Sequence, residues 1–224
     1  MDNLGDRMKS NYEDVWRIKL PRRMPLIIRL DGKGFHGLKL DKPFDEHFIE
    51  CMANTGAQLC EEIQGCQFAY IQSDEVSLLL HDYKKLNSQA WFDKNLQKIV
   101  SISAARASII FERYFQQSQV FDARAFVLPE SEVCNYFIWR QKDWLRNSVQ
   151  MLARSLYSHK ELIGKKTQDL HEMCFTKGHN WNNLAPHIKR GLCTYPTLPF
   201  IDHDIPNFNE DRNYIEKHLV TEEN

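Results

Sequence analysis

The spacing of hydrophobic and polar residues divides the first 129 positions into six predicted elements. Some short stretches are continuously apolar or alternate apolar with other residues, which is typical of buried or half-buried β-strands. Two longer stretches repeat apolar residues at helical spacing, which predicts amphipathic helices. The order strand, helix, strand, strand, helix, strand favours a ferredoxin-like antiparallel sheet. The predicted strands cover 25–30, 67–71, 76–80 and 119–127, and the predicted helices cover 44–63 and 92–115.

After Pro129 the pattern changes to helices and polar segments. Residues 130–158 carry apolar side chains at spacings of four, three and four, which predicts one long helix. A short helix is predicted for Thr167–Cys174. We therefore predict an α+β protein with a sheet of the kind that polymerases and nucleotide cyclases use as a palm. Its parts are a palm-like catalytic domain over 1–129, a helical and basic part over 130–196 that packs on it, and an acidic tail over 197–224.

The composition adds an uneven distribution of charge. The formal net charge is −1, but the tail holds seven acids and two bases, so the remainder has 27 bases and 23 acids. That excess permits polyanion binding without indicating it, and we expect the tail to be a loosely packed extension or an interface arm. No apolar run approaches a membrane span, and the N-terminus lacks a secretory signal. The six cysteines show neither a C-x-x-C pair nor zinc spacing, so we expect reduced thiols in a cytoplasmic protein.

Two acidic motifs stand beside the predicted strands. Asp31 follows the first apolar run, within Arg29–His36, and Asp74 lies in Gln72–Glu75, between the two runs of the predicted hairpin. Two carboxylates brought together repel each other, and a divalent cation relieves that repulsion. Phosphoryl-transfer enzymes hold magnesium in this way. We therefore predict Asp31 and Asp74 as ligands of two magnesium ions, with the backbone carbonyl of Gly32 as a further oxygen ligand.

The residues around the two aspartates are suited to binding a nucleoside triphosphate. The Gly32–His36 turn can direct successive N–H groups at phosphate oxygens, and Lys33 adds positive charge. His36 can donate a hydrogen bond, Ser73 can bond a phosphate oxygen, and Glu75 is either a third acid or an outer partner of the ligands. Each motif alone has an ordinary alternative, because Asp-Gly is usually a turn signal and Ser-Asp-Glu is commonplace. Their joint placement on a strand and a hairpin strengthens the metal-site interpretation.

Taken together, the motifs resemble those of the tRNA-His guanylyltransferase superfamily, whose members add nucleotides to RNA in the 3′-to-5′ direction. The matching segments keep the family's order from about residue 25 to 195. They are Arg29–Gly32 with Phe35 and His36; Lys42 and Pro43 with Asp45; Gln72–Glu75; Trp91 and Phe92 with Lys98; Phe121–Arg124; Trp139–Gln141 with Asp143; and Asn180–Asn183 with Lys189–Gly191.

The resemblance implies a role for individual positions, and basic residues such as Lys165 are expected to hold the RNA backbone. For the Lys and Arg positions the ordinary alternative is a solvated side chain, and Trp139 and Trp181 can be core residues. The implied residues are Asp31, Gly32 and Asp74 for metal; Asp31, Asp74, Glu75 and Lys42 for catalysis; Asp31, Gly32, Lys33, Gly34, Phe35, His36, Ser73, Asp74, Lys98, Asn180 and Asn182 for the nucleotide; and Arg124, Arg140, Lys165, Lys189 and Arg190 for RNA.

One segment departs from the family's pattern. Members dedicated to tRNA-His carry a His-Ile-Asn-Asn-like stretch soon after the Trp-Arg-Gln motif, whereas this chain has Trp144–Gln150 there. The chain therefore resembles the guanylyltransferase-like branch that is found also in bacteria and archaea. That resemblance implies template-directed repair of 5′-truncated tRNA, with ATP, GTP and other nucleoside triphosphates as substrates, two Mg²⁺ ions as cofactors, tRNA as the partner and a homotetramer as the assembly.

Two alternatives stay open. A palm-type nucleotide cyclase would share the acidic residues and need no RNA-binding part. A catalytically silent tRNA-binding protein would bind RNA with a steep salt dependence and would not extend it. The presence of both Asp31 and Asp74 argues against the second alternative.

Overall fold

The computed structural model describes residues 3–85, 87–197 and 200–220. Predictions that involve Met1, Asp2, Glu222 or Glu223 lie outside the described residues. In chain order the helices and strands are α1 (Leu4–Met8), β1 (Leu26–Lys33), α2 (Glu46–Glu62), β2 (Cys66–Gln72), β3 (Glu75–Leu80), α3 (Leu96–Phe115), β4 (Val120–Val127), α4 (Glu130–Leu156), α5 (His159–Leu162), α6 (Thr167–Thr176), α7 (Pro186–Arg190), β5 (Leu192–Tyr195), β6 (Phe200–Asp202) and α8 (Asn213–Glu216).

The strands of the described chain form one antiparallel sheet in the order β4-β1-β3-β2-β5-β6. The first four strands follow the predicted chain order with α2 and α3, so the ferredoxin-like α+β fold is confirmed. The part after Pro129, however, is not only helical, because it adds β5 and β6 to the edge of β2, with Cys193 opposite Tyr70. An apolar run of four residues is too short for its pattern to distinguish a strand, so pairing with the sheet edge decides its conformation.

Side-chain alternation gives the sheet two different faces. On β1, Ile28 and Leu30 point toward α2 and α3 and belong to the larger apolar cluster. Ile27, Arg29 and Asp31 alternate with them and point toward the other face, where Ile27 joins a second apolar cluster. That second face is therefore apolar at one end of β1 and charged at the other end.

The start of α3 lies four residues later than predicted. Phe92, Asp93 and Lys94 before it have positive φ angles of 49°, 50° and 58°, which interrupt a right-handed helix. The buried ammonium group of Lys94 donates to the carbonyl of Met24 at 2.9 Å and lies 3.4 Å from a carboxylate oxygen of Asp82. These residues therefore form a turn that Lys94 anchors to the start of β1.

The long helix α4 covers the second face of the sheet and then extends beyond it. Its first half buries Val133 and Phe137 against the sheet, and its second half packs Leu152 against α6. The predicted helix over 130–158 is confirmed, with its end at Leu156. Neither α4 nor any other helix in the described residues is both long and apolar enough to cross a membrane.

The C-terminal segment packs beside α4. Ile205, Phe208 and Ile215 are each 0% exposed and belong to the same apolar cluster as the first half of α4. The expectation of a loosely packed tail is therefore wrong for residues 200–220. Apolar residues interspersed among the acids fill the second face of the sheet, which the net charge of the segment does not reveal.

Candidate active site

The two predicted aspartates line one cavity of about 440 Å³, which we call the aspartate cavity. Asp31 lies near the end of β1, and Asp74 lies in the turn between β2 and β3. The N–H of Gly32 donates to the main-chain carbonyl of Asp74 at 3.0 Å, so the backbone holds the two motifs together. In the sheet Asp31 lies opposite Glu75. The structure thus brings the two aspartates together, and their role as metal ligands stays a prediction.

The electrostatics of this cavity favour a bound cation. Burial raises the pKa of the Asp74 carboxyl above its ordinary value, and the charges of Asp31 and Glu75 raise it further. Hydrogen bonds from its own backbone N–H and from Ser73 oppose these effects in part. A negative charge at Asp74 is therefore less favourable than in water, and a nearby cation would stabilise it.

The donor atoms suit a small, hard cation. The carboxylates of Asp31 and Asp74 supply oxygen, whereas Gly32, predicted to add its carbonyl, is outside the lining. Mg²⁺ in phosphoryl-transfer sites is usually bound by one or two carboxylates together with waters and substrate phosphates. Within the described ranges, no group of three or more His, Cys, Asp or Glu side chains could hold a metal ion. The aspartate cavity therefore fits Mg²⁺ in the form in which a nucleotide completes the coordination.

The carboxylate of Glu75 forms ion pairs with two arginines. Arg140 donates from Nε and Nη2 to the two carboxylate oxygens of Glu75 at 2.7 and 2.8 Å, and Arg29 Nη2 lies 2.5 Å from Oε2. Glu75 and Arg140 are each only 5% exposed. Of the two predicted roles for Glu75, this geometry favours a partner that orients the site over a third metal ligand. It also disfavours the predicted RNA contact of Arg140, because the guanidinium of Arg140 is buried and already binds the carboxylate of Glu75.

The ring of Phe35 leaves no room for a side chain at position 32. A Cβ at this position would lie 2.7 Å from ring atoms of Phe35, which is closer than real contacts allow. Phe35 is itself buried, and its ring packs on those of Phe111 and Phe121 with centroids 5.2 and 5.0 Å apart. The glycine was predicted to permit the close approach of a ligand, and in the structure it permits the close approach of a core side chain. Phe35, predicted to contact the nucleotide, is first of all a core residue.

A second cavity of about 220 Å³, which we call the apolar cavity, adjoins the first. Ser73, Trp144 and Met151 line both cavities. The remainder of the lining comes from residues 35–49 and is mostly apolar, with the exposed side chains of His36 and Lys42 also present. A cavity lined by carboxylates and arginines beside a mostly apolar one is suited to a molecule with a charged end and a flat, aromatic end.

Several predicted residues near β1 lie outside the linings of both cavities. Lys33 is exposed at the end of β1, opposite Val120, and is followed by Gly34 with a φ of 78°. Arg124 is exposed on the edge strand β4. Lys98 lies in the first turn of α3, near the opposite end of β1 from Asp31. The structure does not bring Lys98 to the aspartates.

Apart from Lys165, the predicted residues after α4 lie away from the aspartate cavity. Asn182, Lys189 and Arg190 line a separate cavity. Asn180 accepts a hydrogen bond from the N–H of Asn182 at 3.0 Å and so fixes the turn that holds it. Lys165 lines a smaller cavity of about 150 Å³, which shares Gln150 and Arg154 with the aspartate cavity. The predicted nucleotide contacts of Asn180 and Asn182 are therefore separated from Asp31 and Asp74.

Sequence reasoning missed a row of polar residues on α4. Arg140, Asp143, Asn147, Gln150 and Arg154 all line the aspartate cavity, and only the first of them was predicted as a site residue. They recur every three or four positions, which places them on one face of the helix. That spacing was available in the sequence, but the apolar positions beside it were used only to predict packing.

The antiparallel sheet, with two adjoining cavities at one end, has the architecture of a palm-type domain. A family model described as tRNAHis guanylyltransferase matches residues 5–129. The chain belongs to this family, and its members are nucleotidyltransferases. The predicted family and enzyme class are confirmed.

Individual relatives agree with this assignment. A tRNA(His) guanylyltransferase from Debaryomyces hansenii is 30% identical over 74% of this chain and 71% of its own length. A bacterial tRNA(His) guanylyltransferase (Thg1)-like protein in complex with ATP is 42% identical, with a TM-score of 0.94 over 97% of this chain and 100% of that one. A second such protein, in complex with GTP, is 39% identical, with a TM-score of 0.83 over 98% of this chain and 100% of that one. The chain spans 62% of the length of the mouse and human relatives.

Proposed function

We propose that this protein adds nucleotides to the 5′ end of tRNA in the 3′-to-5′ direction, as a template-directed repair enzyme. The observation that carries the proposal is the aspartate cavity, where Asp31 and Asp74 lie together beside the apolar cavity in a chain of this family. The relatives in complex with ATP and GTP support nucleoside triphosphates as substrates.

Asp31, Asp74 and the Gly32 carbonyl would hold two Mg²⁺ ions. Bound magnesium would neutralise phosphate charge and make a hydroxyl group a better nucleophile. The other residues act by positioning, which is the main contribution of a protein to phosphoryl transfer. Arg29 lies 3.5 Å from Asp31 and also contacts Glu75, so it links the ends of β1 and β3.

The apolar cavity would hold the base of a bound nucleotide. Trp144 and Met151 belong to both cavities, so they would direct the base into one cavity and the phosphates into the other. His36 and Lys42 would contact the sugar or the phosphates, and Ser73 would donate to a phosphate oxygen at the junction of the two cavities. Of the predicted nucleotide-binding residues, this arrangement uses Asp31, His36, Ser73 and Asp74.

The proposed reaction has two steps. An oxygen of the tRNA 5′-monophosphate attacks the α-phosphorus of ATP, which forms a P–O–P bond and releases pyrophosphate. The 3′-hydroxyl of the incoming nucleotide then attacks the tRNA 5′-phosphorus, which forms a phosphodiester bond and releases AMP, while the hydroxyl proton passes to water. Where the tRNA already carries a 5′-triphosphate, the same hydroxyl attacks its α-phosphorus and releases pyrophosphate. Base pairing with the opposite acceptor strand selects the nucleotide, so no side-chain code for bases is needed.

The proposal includes assembly into a homotetramer. A tRNA is longer than one subunit, so several copies would be needed to hold it. Exposed apolar side chains on the first residues and on the outer side of α3 support an interface between copies. They include Tyr12 at 62%, Trp16 at 71% and Ile109 at 45% exposure.

The test is a 5′-extension assay. A 5′-truncated, 5′-monophosphorylated tRNA is incubated with the protein, Mg²⁺, ATP and all four nucleoside triphosphates. We expect growth at the 5′ end that stops when the acceptor stem is fully paired. Binding without growth would contradict the proposal and indicate a silent tRNA-binding protein. Cyclic products from ATP or GTP in the absence of RNA would indicate a cyclase.

A further inference from the structure

A cavity of about 480 Å³ lies on the other side of α4 from the aspartates. We call it the basic cavity. It is formed by α4, α6, α7 and residues of the C-terminal segment, and its lining has no residue in common with that of the aspartate cavity. The residues used below are Lys142, Arg146, His171, Trp181, Lys189 and Arg190.

Positive charge is concentrated in this cavity, although the whole chain has a net charge of −1. Four of the described residues that line it are Lys or Arg, and Glu210 is the one acid among them. Arg146 also pairs with Asp143 outside this lining, so Lys142, Lys189 and Arg190 supply most of the available positive charge. Lys189 Nζ donates to the carbonyl of Asn182 at 2.6 Å, and Arg190 Nη1 donates to the carbonyl of Ile205 at 3.0 Å. Because these partners are neutral, the two charges remain uncompensated at short range, and the cavity attracts anions.

An aromatic side chain forms part of the same wall. Trp181 Nε1 donates to Ser148 Oγ at 3.0 Å, which fixes the indole on α4. His171 meets its ring edge-on, with centroids 5.2 Å apart, and Lys189 Nζ lies 5.7 Å from its ring centroid. Cations interleaved with aromatic rings are the combination that binds single-stranded nucleotides, because phosphates meet the cations and bases stack on the rings.

We propose that the basic cavity binds one nucleotide of the RNA substrate at a distance from the reacting 5′ end. Lys142, Arg146 and Lys189 contact its phosphates, and Trp181 and His171 contact its base. This inference rests on the proposed function, because it identifies a second point at which the same substrate is held.

The chemistry of the lining favours an RNA strand over a free nucleotide. The aspartate cavity has the paired carboxylates that suit a metal-bound triphosphate, whereas Glu210 is the one acid among the described residues of the basic cavity, and it accepts a hydrogen bond from Asn207 at 2.9 Å. A polymer can occupy both cavities at once by passing around α4. The predicted roles of Asn182, Lys189 and Arg190 in nucleotide or RNA binding then apply to this cavity.

Lysine footprinting on the full chain tests the proposal directly. The folded protein is acetylated briefly in EDTA with full-length tRNA, with ATP, or alone, and modification of Lys142 and Lys189 is measured by mass spectrometry. We expect several-fold protection of both lysines by tRNA and none by ATP. Protection by ATP alone would show a free-nucleotide site, and the absence of protection by tRNA would exclude an RNA site, so either result overturns the proposal.

A pair of matched variants provides a second test. Lys142 is exposed and Lys189 Nζ donates to a main-chain carbonyl, so K142A/K189A should fold normally. Arg146 is left intact, because it pairs with Asp143 in the lining of the aspartate cavity. We expect it to bind tRNA about 10-fold more weakly and to reduce the slope of log affinity against log salt by about 1 to 2, with unchanged ATP affinity. The control K85A/R113A removes the same charge from exposed positions outside the cavity lining and should bind tRNA normally. Equal tRNA affinity in the two double variants would overturn the proposal.

The two proposals fail in different ways. If wild-type protein does not extend tRNA but tRNA still protects Lys142, the proposed function is wrong and the RNA site remains. If extension proceeds while Lys142 is unprotected, the RNA site is wrong and the proposed function remains.

Discussion

Arg140 binds both carboxylate oxygens of Glu75 in the interior of the protein, with Nε and Nη2 at 2.7 and 2.8 Å. The two residues are 65 positions apart in the chain, and their contact joins α4 to β3. Glu75 lies opposite Asp31 in the pairing of β3 with β1. Arg29 adds a second guanidinium to the same carboxylate. Glu75 therefore fixes the position of the strand end on which the aspartate cavity is built.

We expect Glu75→Gln to destabilise the fold by about 1–3 kcal/mol, because two buried or half-buried guanidinium groups lose their nearest carboxylate and keep only the longer contacts of Arg29 with Asp31 and of Arg140 with Asp143. Urea unfolding measures the change. The matched control is Glu62→Gln, since Arg106 also binds that glutamate through Nε and Nη2, but at a partly exposed site. That change should cost about 0–1 kcal/mol.

The same variant separates the two predicted roles of Glu75. If Glu75 orients the site, Glu75→Gln lowers the stability and the Mn²⁺ affinity together, with the affinity falling about 10- to 100-fold. The affinity is measured by titration below the unfolding midpoint. A loss of Mn²⁺ affinity together with unchanged stability would instead identify Glu75 as a metal ligand.

Asp31→Ala and Asp74→Ala should each abolish nucleotide addition, with a loss of at least about 1,000-fold, because metal ions supply several kcal/mol of transition-state stabilisation. Thermal unfolding should show that both variants remain folded. Asp122→Ala is the control, since this exposed aspartate lies opposite Asp31 on β4 but outside the cavity lining. Turnover close to that of the wild type in either cavity variant would contradict the metal assignment.

The meeting of Asp31 and Asp74 could be predicted because it depends on local pattern. Alternating apolar residues define the strands and their faces, and the strand order then places the end of β1 beside the β2–β3 turn. The pair formed by Glu75 and Arg140 could not be predicted in this way. It depends on how α4 is rotated on the sheet, and many rotations would bury the apolar side of the helix equally well.

The basic cavity and the burial of the C-terminal segment also could not be predicted from the local sequence pattern. Trp181 and Lys142 meet only because α6 and α7 fold back on α4. The burial of Phe208 depends on space left beside α4, whereas the most evident feature of its segment in the sequence is an excess of acids over bases. Local periodicity predicts elements and their faces, but it does not encode contacts between elements that are far apart in the chain.

Gly32→Ala should destabilise the protein by about 1–3 kcal/mol, because the added Cβ would lie 2.7 Å from the ring of Phe35. Thermal unfolding measures this loss. Gly37→Ala is the matched control in the same turn, where an added Cβ meets nothing within 4 Å, and it should be neutral or slightly stabilising. Because Phe35→Leu has its own cost in the core, the two changes are compared in a double-mutant cycle. Gly32→Ala should cost less in the Phe35→Leu background than in the wild type, and an equal cost would show that the ring is not the cause.

His218 is held uncharged where the C-terminal segment meets the sheet. Its ring lies 4.9 Å from that of Phe68 and 5.4 Å from that of Tyr195, measured between centroids. Burial lowers the pKa of His218 to about 4, and the nearby charges of Lys217 and His81 contribute in the same direction. Protonation of this ring therefore opposes packing of the segment.

An unperturbed histidine has a pKa of about 6.5, so between pH 6.5 and 4 the unfolded chain binds a proton at His218 that the folded chain does not. Stability is then complete above about pH 6.5 and falls as the pH is lowered, by about 1–2 kcal/mol once solvent screening of the partly exposed ring is included. Urea unfolding at pH 7 and pH 5 measures the slope. His218→Phe should reduce the slope, because it keeps an aromatic ring and removes the proton site, whereas His159→Gln at an exposed position should leave it unchanged. Identical slopes in the two variants would contradict the assignment of this pH dependence to His218.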